Sequence, residues 1–209
     1  MRSGLLTVSI ALAGWFLTSF AHAQTSDKSA ACLGLNGERQ PAKVTFDDGS
    51  VVNVIDRSGD KISLESLTPS GTKSNLVSQY GLFTLTFDSP NLKLENIWNQ
   101  DLARFIPLKV GDRISADAAA KNPAANSALS AAVFLDLSVM GVENIRVGEC
   151  DYPVFKIDFR SQIGGGPQVA TVTHYYHEAS MLMLRTVTTI PATAVAPTKI
   201  VDRRAMKLE

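Results

Sequence analysis

The sequence predicts a mainly β fold: an antiparallel meander that curves strongly into a sheet or open half-barrel, with little helix. Three observations predict it. Turn signals recur roughly every ten residues, the spacing of short strands joined by tight turns. Between the turns, apolar and polar residues alternate with the two-residue period of a half-buried strand. At Asp47-Asp48-Gly49-Ser50 an Asp-Gly pair separates two β-branched runs, a hairpin signal because primed turns require positive φ.

The elements follow in order. Lys43 to Phe46 and Val51 to Ile55 flank that first turn. Arg57-Ser58-Gly59-Asp60 then leads into Lys61 to Leu67, where Ile62 and Leu64 alternate with Lys61, Ser63 and Glu65. Pro69-Ser70-Gly71 turns the chain again. Leu82 to Phe87 is β-rich, and Asp88-Ser89-Pro90-Asn91 separates it from Leu92 to Ile97. The middle differs: nine of the 18 residues from Ser115 to Ala132 are Ala, and Asn122-Pro123 interrupts any helix they would form. This segment reads as a mobile loop or small helical flap, a possible lid. Strands resume with Val133 to Met140, Val142 to Val147, and the alternating Val154 to Phe159. A Gly164-Gly165-Gly166-Pro167 loop precedes a last hairpin, Val169 to His177 and Met181 to Ile190. Lys199 to Leu208 reads as a closing strand.

The first residues stand apart from this pattern. Arg2 precedes an apolar run from Leu5 to Phe20, which ends in Ala21-His22-Ala23 before Gln24. A basic start, an apolar stretch and two small residues at the cleavage site make a signal peptide. The run is shorter than the ~20 residues that span a bilayer. The expected organisation is a signal peptide over 1–23, a polar N-terminal tail over 24–40 and a single β domain over 41–209, in the periplasm or outside the cell.

An exported chain meets oxidising conditions, where paired thiols become disulfides. The chain has two cysteines, Cys32 and Cys150. They are expected to pair with each other. Net charge is +0 over 209 residues, from 20 basic and 20 acidic side chains. No block of like charge stands out, which excludes nucleic-acid binding and a polybasic membrane patch. No later stretch is apolar enough to cross a membrane as a helix.

His174-Tyr175-Tyr176-His177-Glu178 looks like a metal motif, but on a strand residues three apart face opposite sides. His22 leaves with the signal, so no third histidine remains, and no metal or cofactor is expected. Ser180 lies near His177 without a G-x-S-x-G elbow around it. The Gly164–Gly166 run has no P-loop lysine. Asp47-Asp48 and the Asp56/Asp60 pair sit in turns, where Asp is favoured for backbone reasons. Trp98 and Phe105 read as core aromatics that could also line a pocket. No catalytic residue is assigned.

From Phe105-Ile106-Pro107-Leu108-Lys109-Val110-Gly111 onward, the order of features is familiar. It runs through a strand pair ending Val147-Gly148 and the strand Tyr152 to Phe159. It closes on the hairpin Tyr175-Tyr176-His177-Glu178 to Leu182-Met183-Leu184-Arg185. This pattern resembles uncharacterised exported β proteins of proteobacteria, whose fold is similar to the LolA-type open barrel that carries lipoproteins. The resemblance implies a curved sheet sheltering acyl chains, and it carries over no functional residue.

The leading expectation is a non-enzymatic periplasmic domain that binds a lipid, another apolar ligand or an envelope protein on a curved sheet. A structural or assembly factor docking through an exposed edge strand is the rival. A hydrolase built on His174, His177 or Glu178 comes third. An internal cavity lined by Leu, Phe and Met would favour the ligand binder. His174 and Glu178 in one cleft would favour the enzyme.

Overall fold

The computed structural model describes residues 32–34, 39–123, 130–163, 171–192 and 197–209, the side chains of Ser130 and Ile163 excepted. The expected signal peptide, most of the expected tail and the expected Gly164–Gly166 loop lie outside the described residues.

Twelve antiparallel strands form one closed ring. They are β1 (Lys43–Phe46), β2 (Val51–Ser58), β3 (Lys61–Leu67), β4 (Lys73–Gln79), β5 (Phe83–Ser89) and β6 (Leu92–Trp98). After them come β7 (Arg113–Lys121), β8 (Ser130–Val147), β9 (Cys150–Ile163), β10 (Thr171–His177), β11 (Leu182–Ile190) and β12 (Lys199–Leu208). Each strand pairs with its sequence neighbour. The last pairs with the first, Val44 opposite Leu208 and Thr45 opposite Lys207. The expected curved meander therefore goes further than a half-barrel and closes, through a short β1–β12 ladder at Ala205, Lys207 and Leu208.

Some strands differ from the sequence expectation. Lys73–Gln79, with only Leu76 and Val77 as apolar residues, carried no strand signal, yet it pairs in register from Lys61↔Gln79 to Leu67↔Lys73. The loop or helical flap expected over Ser115 to Ala132 is corrected where the chain is described. Residues 115–121 belong to β7 and 130–132 to β8, and residues 124–129 lie outside the description. Ala116, Ala118 and Ala120 are alternately buried and pair with Leu135, Val133 and Ala131. The helix preference of alanine yields to cross-strand pairing. Small side chains also suit the site, because Trp98 of β6 pairs with Ala118 and packs on Ala118 and Ala120. The two segments read around Gly141 form one strand, β8, with the register shifting between Val139 and Gly141. Such a bulge bends a strand without ending it.

Two large apolar clusters fill the structure beside the small one of Ala118, Ala120 and Val133. One joins Leu82, Phe83, Leu102, Leu108, Ile114, Leu135, Leu137, Ile157 and Tyr176. The other joins Val44, Phe46, Ile62, Val147, Tyr152, Val154, Tyr175 and Leu184. Tyr175 and Tyr176 are neighbours in sequence but enter different clusters, and the β10–β11 register shifts between them. Both faces of this part of the sheet are therefore covered.

One end of the ring is closed by chain. A 3-10 turn, Leu102–Phe105, and a following loop with a cis Ile106–Pro107 peptide bury Leu102 and Leu108 there. A second turn, Glu178–Ser180, joins β10 to β11 at the same end. The Cys32–Cys150 disulfide ties the N-terminal segment to the start of β9, across 118 residues. Among the described residues no helix is long and apolar enough to cross a membrane.

Candidate functional site: an apolar cavity at a seam in the barrel wall

The wall is not continuous: the β1–β2 and β1–β12 ladders are short, and so is the one between β5 and β6. Their ladder runs Ser89↔Leu92, Asp88↔Lys93, Phe87↔Leu94 and Thr86↔Glu95, and then stops. From that point β6 stays with β7, pairing Asn96, Ile97 and Trp98 with Ala120, Ala119 and Ala118. β5 stays with β4, through a register shift that skips Leu85 between the Val77↔Thr86 and Ser78↔Thr84 pairs. The bulge redirects β5 away from β6. Two side chains take over where the ladder fails. Asn96 Nδ2 donates to the Thr84 carbonyl at 3.1 Å, and Trp98 Nε1 donates to the same oxygen at 3.0 Å. A carbonyl has two lone pairs, so this one is saturated.

Behind the seam lies a partly open cavity of about 190 Å³. Leu82, Thr84 and Phe87 of the β5 side and Leu94, Asn96 and Trp98 of β6 form one wall. Val133, Leu135, Phe159 and Ser161 complete it from β8 and β9. Seven of these ten side chains are apolar and none is charged. Trp98 also meets Phe83 edge-on, centroids 5.6 Å apart, and Phe83 stacks on Phe105 at 6.1 Å. Such pairs contribute about 0.5–1.5 kcal/mol each beyond their burial. Trp98 is thus both core and lining, whereas Phe105 is packed in the core and does not line this cavity.

The histidines go to separate surroundings. His174 meets Phe159 edge-on at 5.2 Å, and its Nδ1 lies 3.2 Å from Thr186 Oγ1. Burial holds it far below the usual imidazole range, at about 4. His177 is buried, meets Tyr152 edge-on at 5.4 Å, and is also shifted down by burial. Its Nδ1 lies 2.7 Å from Ser180 Oγ, a contact that sequence reasoning left unmade. The 3-10 turn after His177 brings the serine back, which strand geometry alone does not do. Ser180 is 1% exposed, and among the described residues no carboxylate bonds the His177 ring. Glu178 is occupied elsewhere, its Oε1 accepting from the Leu108 backbone N–H at 3.1 Å. Among the described residues no three His, Cys, Asp or Glu side chains gather as a metal site.

Several other polar groups are tied to neighbours within the fold. Asp48 Oδ1 accepts from Ser50 N at 2.9 Å, and Asp47 Oδ1 accepts from Arg204 N at 3.0 Å. Asp60 accepts from Gln79 Nε2. Arg57 donates to the carbonyls of Ser180 and Pro41, and the Tyr176 hydroxyl donates to the Tyr80 carbonyl. On the outer face of β8, Phe134, Met140 and Val142 are 49%, 57% and 54% exposed.

No family model matches the chain, and no curated protein does. Among solved structures, the hypothetical lipoprotein YmcC from Escherichia coli (K12) is similar at a TM-score of 0.46 and 17% identity, over 81% of this chain and 89% of that one.

Proposed function

We propose that this chain is a non-enzymatic β-barrel that works outside the cytoplasm and holds a small apolar ligand in the cavity behind β5 and β6. The observation that carries the reading is that lining: seven apolar side chains, three polar ones and no charge around about 190 Å³ of partly open space. Apolar pockets with a few polar groups are the usual form of small-molecule sites. The volume lies below the ~300 Å³ at the lower end of drug-sized pockets. It exceeds the ~150 Å³ of an engineered cavity that stays dry and binds benzene. The Cys32–Cys150 disulfide and the signal-like start support an extracytoplasmic site of action. The burial of Ser180 and the engagement of Glu178 support a role without hydrolysis.

Calorimetric titration of the oxidised protein with toluene and with 1-decanol tests this reading. Saturable one-site binding is expected. Ser161→Phe adds a ring to the lining at an exposed position and should weaken it at least tenfold, with the far-UV circular dichroism melt unchanged. Absence of saturable binding with both compounds removes the proposal. A protein partner is the second reading, favoured by the exposed Phe134, Met140 and Val142 on one strand.

A further inference from the structure

We infer that the ligand is a single-chain amphiphile that enters sideways through the β5–β6 seam, its unbranched tail in the cavity and its head outside the wall. This deepens the proposed function and rests on it. The first argument is size. Scaling from the six carbons held by a ~150 Å³ cavity, about 190 Å³ takes roughly seven or eight carbons. A longer chain must therefore protrude. The second argument is charge. None of the ten lining residues is ionisable at neutral pH, and an unpaired charge buried among them would be costly. The part inside must be uncharged.

The seam offers the way in. In a closed antiparallel wall, backbone hydrogen bonds bar passage between strands. Here the ladder ends at Thr86↔Glu95, and the lips below are joined at the Thr84 carbonyl by two side-chain hydrogen bonds, from Asn96 and Trp98. Side chains can change rotamer without breaking a ladder. All three residues of this latch also line the cavity, so the latch and the pocket wall share residues. Ile97, on the β6 lip, is 46% exposed and offers apolar surface outside. A gap between two strands is narrow in one direction, so it admits a linear chain more readily than a cage.

The test ties the lips together. Leu85→Cys and Ile97→Cys, neither of which lines the cavity, are combined and bridged with bis-maleimidoethane without reductant, so that Cys32–Cys150 stays closed. Uptake of 1-decanol is followed by stopped-flow tryptophan fluorescence, alongside 1-adamantanol as a bulky alcohol of the same head. The unbridged double variant should take up 1-decanol as the unmodified protein does. Bridging should slow uptake at least tenfold, and Asn96→Ala, which removes one latch donor and keeps Trp98 as the reporter, should speed it. Uptake at an unchanged rate after bridging overturns sideways passage while leaving the cavity reading intact. Equal binding of 1-adamantanol overturns the linear-chain class. Failure of 1-decanol to bind the unmodified protein while toluene binds overturns this inference alone, and failure of both compounds overturns the proposed function as well.

Discussion

Gly81 and Met181 meet backbone to backbone: a Cβ on Gly81 would run into the Met181 carbonyl. Both residues have positive φ, +68° at Gly81 and 54° at Met181. The loop after β4 and the turn before β11 are thereby pressed together. The Tyr176–Tyr80 hydrogen bond lies in the same region, and Arg57 reaches the Ser180 carbonyl one residue away.

This contact separates conformational strain from collision. Gly59→Ala, at φ +60° in open space, should cost about 1–2 kcal/mol for the left-handed backbone alone. Gly81→Ala adds displacement of a backbone carbonyl, and the total should exceed about 3 kcal/mol. Urea unfolding of both variants measures the difference. Equal losses would mean that the Gly81–Met181 contact yields without cost.

The disulfide should be the largest single covalent contribution. A cross-link spanning 118 residues restricts the unfolded chain by about 4–5 kcal/mol in the chain-entropy description, an upper figure. Cys32→Ser combined with Cys150→Ser should lower the unfolding free energy toward that amount, read from the denaturant midpoint. The Leu33–Gly34 segment behind Cys32 packs at Tyr152 and His177, so its release should also alter the near-ultraviolet dichroism of the tyrosines. A loss below about 1 kcal/mol would show that the unfolded chain gains little freedom from the missing link.

Stability should fall as the solution is acidified from near neutrality. His174 titrates near 6.5 when unfolded and at about 4 when folded. Between those values the unfolded chain binds a proton that the fold rejects, so stability declines as pH drops through this window and levels off below it. The shift corresponds to at most about 3 kcal/mol. His177 is shifted the same way by burial and adds to the slope. Asp202, held down by Arg185 and Arg204, acts later: its contribution is present above the ordinary carboxylate range and is lost only as pH falls beneath it. Unfolding free energies measured from pH 7 to pH 4 should therefore slope upward with pH, and His174→Gln should remove a large share. An unchanged slope in His174→Gln would show that His174 does not titrate as its surroundings imply.

Sequence reading recovered local features of the fold and little of the candidate site. Alternation in Ile62–Leu64 and Phe155–Ile157–Phe159 and the Asp-Gly turn are short-range patterns, and each stands where it was read. Lys73–Gln79 and Ala116–Ala120 were missed because their strand identity comes from partners: Ser, Asn and Ala have weak strand preference until a neighbouring ladder holds them. Trp98 was noted as a possible lining residue. Leu94, Val133 and Ser161 carried no signal, because a cavity is set by where four strands meet and not by any one of them.

The amino-acid order by itself determined the β character, the places where the chain reverses and the pair of cysteines available to bond. Periodicity, turn chemistry and cysteine number are properties of the chain read along its length. Only the tertiary structure decided that β12 closes onto β1, that Ser180 reaches His177, and that β5 leaves β6 at Thr86. The closure and the seam depend on long-range pairing and on single-residue bulges, which shift register without any distinctive local sequence.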